Sequence, residues 1–432
     1  MSQASQRIAQ PITGGPPELD ELVAQLHCEN PFSERAAVIE KICKILEQYP
    51  IRNVLGLWSV ASDLLLPEQQ DEVAEAGYRL LKSCVSWPKL STIERSIFFD
   101  AASLRKNDRF FDQRLQVINA LTKRGRDIEA CESSIVPFII SSLDVCYKAS
   151  RDAYNANRKA SGKRSVDKPT QEADNLARLL DFAIGICKFN AKILTDEDLE
   201  LLLGRAVAIC QDTSHTSDME NCIRLFDTII TYVHLPQRAI RPCVEVLCTI
   251  HRVMDDLQDQ TWNTLSNLFQ SHVGGVAVLS LLHTLLYGPT RITDKPHNIY
   301  RGTYQVLQLL LLDGGRNDLP AVPISLLCPA LKASIKDQHP SREELVIRLI
   351  DAVLSQTRLR DLLLSETDVG DLIDIVTICA ERDDDRRRAK ITELTNASTA
   401  AVKDGDDKTI TTHGHGSPNN RRDCCWFTAF LC

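Results

Sequence analysis

Few residues in this chain stand in patterns that could do chemistry, and each pattern lacks a part. Gly162 and Lys163 lie in a basic stretch and suggest a loop that cradles phosphate. The upstream glycine and the following Ser or Thr that such a loop requires are missing. His413, Gly414 and His415 offer two imidazoles to a metal, too few for a closed structural site or an open catalytic one. His272 and His283 fall among apolar residues at helical spacing and read as packed or half-buried histidines. Asp383, Asp384 and Asp385, followed by Arg386, Arg387 and Arg388, would pair along a helix surface and need no metal. Asn396, Ala397 and Ser398 form a glycosylation sequon only in a secreted chain. No nucleophile elbow, zinc-protease motif or dinucleotide fingerprint is present. The sequence therefore supplies no catalytic, cofactor-binding or metal-ligating residues, and no cofactor is expected.

What such residues would be mounted on is a long array of helices. The hydrophobic content of 44% is ample for a continuous core. With 50 Lys and Arg against 58 Asp and Glu, the net charge is −8, which steers the chain toward neither nucleic acid nor anionic lipid. Most of the 15 cysteines, Cys43, Cys187, Cys222, Cys248 and Cys379 among them, fall on apolar helix faces, where a free thiol packs as a small hydrophobe. There is no C-x-x-C pair and no N-terminal signal peptide. A reducing, cytoplasmic setting follows as the expectation. The longest apolar run, Val273 to Gly288, is broken by His283 and glycines and is shorter than the ~20 residues of a spanning helix. No transmembrane segment is expected.

The helical period can be read directly. Leu176, Leu179, Leu180, Ala183, Ile184 and Cys187 recur at i, i+3, i+4, i+7, as do Trp262, Leu265, Leu268 and Phe269, and Val346, Leu349, Ile350 and Val353. Ser91 with Glu94, Ser217 with Glu220, and Ser341 with Glu344 fit the capping box. Pro236, Pro320 and Pro323 fall at expected helix breaks. Alternating strand patterns are essentially absent, so the fold class is all-α.

Successive helical hairpins are expected to begin near Ser33, Gln70, Arg109, Glu172, Ser217, Asp259, Ile299 and Ser341. That spacing approaches the ~40–47 residues of HEAT- or armadillo-type helix pairs and predicts an α-solenoid over residues 18–388. The wide step from Arg109 to Glu172 coincides with a polar segment, residues 148–171, read as a basic loop inserted between repeats. Lys148, Arg151, Arg158, Lys159, Lys163, Arg164 and Lys168 there could meet an acidic partner, with Ser161 and Ser165 open to phosphorylation; a solubilising loop is the plainer reading. Residues 1–17 are expected to be a disordered lead-in, and 389–432 a terminal helix remnant with a disordered tail. A solenoid end exposes apolar faces unless capped, and Leu372, Ile375 and Ile378 are the candidates for such an end. The closing residues CCWFTAFLC are apolar but are no prenylation box, because the fourth from the end is Ala429. Acylation of Cys424 or Cys425 lacks the second signal that stable anchoring needs.

Several segments carry more than a generic period. RLQVINALTKRGRDIEACESSIVPFIISSLD (Arg114 to Asp144), ICKFNAKIL (Ile186 to Leu194) and RLFDTIITYVHLP (Arg224 to Pro236) resemble, in that order, the N-terminal region of the tuberin family. So do TWNTLSNLFQSHVGGVAVLSLLHTLL (Thr261 to Leu286) and YRGTYQVLQLLLLDGG (Tyr300 to Gly315). Trp262, the turn from His272 to Gly274, and Arg301 with Gly302 are the most specific points. The resemblance implies a non-catalytic scaffold that binds a hamartin-like coiled coil, in a complex that stimulates GTP hydrolysis by Rheb and restrains target-of-rapamycin signalling. It also implies a cytoplasmic location, peripheral on endomembranes through that complex. The family's GTPase-activating domain lies far C-terminal, so no catalytic residue carries over and a Rheb-type GTPase is a partner only through that domain. The partner-binding residues stay unknown at this level. The alternative is an unrelated HEAT- or armadillo-type adaptor in trafficking or transport, which regular Trp/Asn or acidic ladders would favour.

Overall fold

The computed structural model describes residues 13–49, 51–86, 89–104, 108–161, 171–212, 215–290, 296–313, 319–355 and 365–403. Among them the regular structure is α-helix and short 3-10 turns, with no strand. The first helices are α1 (Pro17–Ala24), α2 (Phe32–Gln48), α3 (Val54–Ala61), α4 (Asp71–Val85), α5 (Thr92–Ser103) and α6 (Phe111–Leu121). The middle of the chain holds α7 (Glu132–Ser161), α8 (Gln171–Phe189), α9 (Asp196–Asp212), α10 (Thr216–Tyr232), α11 (Gln237–Val253) and α12 (Gln258–Gln270). Then come α13 (Gly274–Tyr287), α14 (Pro296–Asp313), α15 (Ile324–Ser334), α16 (Pro340–Ser355) and α17 (Glu366–Lys403). The eight expected hairpin starts correspond to the even-numbered helices from α2 to α16, each within three residues.

The helices form the two layers of an α-solenoid. Even-numbered helices pack side by side in sequence order from α2 to α12, and odd-numbered ones do so from α7 to α15. The register then shifts, because α14 packs chiefly on α11 and then on α16. Leu180, Leu203, Ile229, Leu247, Leu281 and Leu307 are all at most 1% exposed and mark the buried seam between layers. Each such side chain removed from water contributes about 1.5–3 kcal/mol, which is what holds helices too short to be stable alone.

Several sequence expectations need correction. Thr13 lies within the expected lead-in yet is buried; its N–H and Oγ1 both donate to Asp20 Oδ1, at 2.9 and 2.7 Å. Its carbonyl accepts from the N–H groups of Arg52 and Asn53, so the fold starts earlier than residue 18. Residues 148–161 of the expected loop are helix, the last turns of α7. Cys146, Tyr147, Ser150, Ala153 and Tyr154 continue the inward stripe with small and aromatic side chains, a period too weakly apolar to see in the sequence. The rest of that segment, with Lys163, Arg164, Ser165 and Lys168, lies outside the described residues. So do Gly162, His413, His415 and the CCWFTAFLC end.

The chain divides into two compact units, Met1–Ile373 and Asp374–Cys432, so the boundary falls inside α17 and not at residue 388. Leu372 and Ile375 are buried and Ile378 is half-buried. Asp383 pairs with Arg386 and Arg387, and Asp384 with Arg388, along the exposed helix surface as expected.

Of the three capping boxes only Ser91 with Glu94 forms. Ser217 and Ser341 are already inside their helices; Glu344 accepts from Arg348 at 2.6 Å, and His215 occupies the cap position of α10. Thr195 with Asp198 and Ser365 with Asp368 make the reciprocal bonds in their place. Pro236 and Pro323 stand at helix starts as expected, but Pro137, Pro242 and Pro329 sit inside α7, α11 and α15. Buried neighbours such as Ile135, Ile240 and Leu327 offset the hydrogen bond each of these prolines removes.

Eleven of the twelve described cysteines are buried, and all twelve are free thiols. Burial pushes the Cys187 and Cys243 thiols up to about 12 and the Cys131 and Cys328 thiols to about 11. Reactivity follows the exposed thiolate. Alkylation of the native chain at neutral pH, mapped by mass spectrometry, should modify Cys28 quickly and leave those eleven protected until urea opens the fold. Fast native labelling of Cys187 or Cys243 would contradict the packing.

Candidate partner-binding face

A polar ladder crosses the exposed side of the even-numbered helices, with at least one rung at each step from α2 to α12. Arg79 of α4 reaches Glu40 of α2 at 4.0 Å, and Lys82 donates to Gln116 of α6 at 2.7 Å. Gln116 in turn donates to Asp112, which also pairs with Arg178 of α8. Arg224 of α10 meets Asp181 of α8 at 3.0 Å, and Asn267 of α12 donates to Asp227 of α10 at 2.8 Å. Pairs this exposed contribute about 0–1 kcal/mol each, so they set the surface that a partner meets more than they set stability. Its sequence signal was present but unread: Arg178-Leu-Leu-Asp181 recurs as Arg224-Leu-Phe-Asp227 on neighbouring rungs.

Between α6 and α7 the chain makes a turn in which Lys123, Arg124 and Gly125 all have left-handed φ, +51°, +58° and +79°. Such a run is strained for the two side-chain-bearing residues and must be held from outside. Thr122 Oγ1 accepts from the Gly125 N–H at 3.2 Å, and the Asp127 N–H closes on the Thr122 carbonyl at 2.9 Å. Asn190 at the end of α8 donates to the Gly125 carbonyl. A Cβ on Gly125 would come within 2.9 Å of the backbone at Gly185 and Ile186, so only glycine lets the turn lie on α8. Arg95 at 2.6 Å and Lys123 at 2.9 Å hold the Asp127 carboxyl below its ordinary pKa and pin the far side.

The turn borders an open groove of about 670 Å³ lined from α4, α6, α8 and α10, with Lys82, Arg124, Arg178 and Arg224 on its walls. Further along α8, Phe189 is 45% exposed, and Tyr232 at the end of α10 is 49% exposed. Arg126 lies over the Phe189 ring at 5.0 Å, and Lys188 over both rings at 5.7 and 5.5 Å.

A buried carboxylate on α11 is structural. Glu245 of α11 is 2% exposed and accepts from Arg241, Thr284 Oγ1, and both the N–H and Oγ1 of Thr290. Its oxygens are occupied, leaving no place for a ligand. His272, in the turn between α12 and α13, and His283, with its ring 5.7 Å from Tyr287, are both exposed, so neither is the packed or half-buried histidine expected. Among the described residues no group of three or more His, Cys, Asp or Glu is placed to hold a metal.

A family model described as a domain of unknown function, DUF3384, matches residues 32–417. The chain belongs to that family. A solved structure, that of the TSC2 N-terminus, superposes with a TM-score of 0.76 at 28% identity, over 85% of this chain and 88% of that one. A tuberous sclerosis 2 protein homolog of Schizosaccharomyces pombe is 21% identical over 307 residues, 69% of this chain. The chain spans 22% of the length of that relative. Together these make it a tuberin-type N-terminal domain, and the unrelated-adaptor alternative falls. The segments that carried the resemblance are backbone-critical in the fold: TKRGRD builds the left-handed turn, HVGG the corner between α12 and α13, and Gly302 a close approach of α14 to α11.

Proposed function

We propose that this chain is the partner-holding scaffold of a tuberin-like GTPase-activating protein and binds a hamartin-like coiled coil. In that role it acts in the cytoplasm, on endomembranes through the complex, and contributes to stimulating GTP hydrolysis by a Rheb-type GTPase and to restraining target-of-rapamycin signalling. Its part is non-catalytic, the GTPase contact belonging to the family's distant C-terminal domain. The observation that carries the reading is the likeness to the TSC2 N-terminus over most of both chains. Physically, adjacent parallel helices offer grooves into which a partner helix can lay one face.

Sedimentation titration of the chain against the hamartin-like coiled coil from the same source tests it. Stoichiometric binding is expected, and it should be lost in Ile229→Pro, which breaks α10 at a fully buried position. A folded, helical chain that does not bind sinks the proposal.

A further inference from the structure

Three features coincide on one stripe of α8. Arg178, Asp181, Phe182, Gly185 and Phe189 follow the i, i+3, i+4, i+7, i+11 spacing of a single helix face, a length of about 16 Å at ~1.5 Å per residue. One end of that stripe is cationic: Lys82, Arg124, Arg178 and Arg224 line the groove, and the carboxylates beside them are Asp181 and, on Arg178, Asp112. This local excess of positive charge stands on a chain of net charge −8. The other end offers the half-exposed rings of Phe189 and Tyr232, with Lys188 over one side of both and Arg126 over Phe189. Among the described residues the Arg124 side chain makes no hydrogen bond or ion pair, although its backbone is fixed by the strained turn. Holding an unpaired guanidinium beside three other cations has a cost that the fold itself does not offset.

From this charge and shape we propose that the groove between α6, α8 and α10 receives an acidic amphipathic helix of the partner. Its carboxylates meet Arg124, Arg178 and Arg224, and its apolar side lies on the part of Phe189 and Tyr232 left exposed beside Lys188 and Arg126. The inference rests on the coiled-coil reading above and deepens it by naming the face and the partner's chemistry. A carboxylate on Arg124 would complete the one open cation of the turn, and the fork of an arginine suits two oxygens better than a lysine does. Phe182 is buried and the turn lies over Gly185, so a partner helix of about three turns bridges the two ends of the stripe through a few anchors and does not cover it. The odd-numbered layer also exposes apolar side chains, such as Val145, Leu201 and Tyr287, and serves as the comparison face.

The test is a binding titration of the full chain with the hamartin-like coiled coil, at low and at high salt. Arg124→Glu should weaken binding about tenfold at low salt and flatten the salt dependence, because like charges then face each other. Arg124→Lys keeps the charge without the fork and should bind between the unaltered chain and Arg124→Glu, and Tyr232→Ala should lose several-fold affinity at either salt concentration. Leu201→Asp, on the other layer, should change nothing. Arg124 and Tyr232 are exposed, so melting temperatures should not fall below the parent's, which excludes unfolding as the cause. If the coiled coil binds the parent and both the Arg124→Glu and Tyr232→Ala variants equally, the inference is overturned while the coiled-coil reading stands. If the parent does not bind at all, the partner is wrong and the inference falls with it.

Discussion

Gly302→Ala should destabilise the solenoid sharply, although alanine normally strengthens a helix. A Cβ at this position of α14 would lie 2.0 Å from the Cys248 carbonyl oxygen and 2.5 Å from its carbon. Both are backbone atoms of α11, so no side-chain rotation relieves the overlap and α14 must move off its partner. Overpacking of this kind costs about 1–3 kcal/mol where side chains can give, and here they cannot. The natural control is Gly204 in α9, where a Cβ would meet nothing within 4 Å. Gly204→Ala should stabilise by about 0.5–1 kcal/mol through the lost flexibility of the unfolded chain and better helix propensity. Thermal melts of the two variants should therefore move in opposite directions. Equal melting temperatures would mean that α11 and α14 are not in this close contact.

Glu245→Ala should be the most damaging change of a polar residue. Its carboxylate takes Thr284 Oγ1 at 2.9 Å and the Thr290 N–H at 2.9 Å, and it pairs with Arg241 at 3.1 Å. Removal takes the acceptor from the Thr290 N–H and Oγ1, leaves Thr284 Oγ1 with the Ser280 carbonyl, and leaves Arg241 with the Gly288 carbonyl as its remaining partner. Breaking a buried pair costs about 3–5 kcal/mol, and the lower end applies because Arg241 is partly exposed. The midpoint of urea unfolding should fall accordingly. Native-state hydrogen exchange at the Thr290 amide should speed up most, since that proton loses its acceptor. Glu245→Gln keeps an acceptor oxygen and should cost less. Unchanged exchange at Thr290 in the alanine variant would show that the network does not hold this segment.

The sequence by itself determined the helices, their pairing and the family. Apolar residues repeating at helical spacing can be buried only on neighbouring helices, and the recurrence near 40 residues fixes how many pairs there are. Hence the eight hairpin starts were legible to within three residues. Motifs such as TKRGRD and Arg301-Gly302 carried the resemblance because backbone geometry tolerates few substitutions there. Helix ends were less legible. Ser217 and Ser341 looked like caps, but tertiary packing extended both helices past them, and the small residues after Tyr147 hid the continuation of α7.

The candidate site was decided by tertiary structure alone. Arg124, Phe189 and Tyr232 are unremarkable in the linear chain, and each belongs to a different element. They converge only because Gly125 lies against Gly185 and because α8 and α10 run side by side. The shift of α14 from the even-numbered row onto α11 likewise has no counterpart in helical period. Periodicity states which face of a helix is buried; which neighbour buries it depends on close backbone contacts, such as that of Gly302 with Cys248, that only the assembled fold creates.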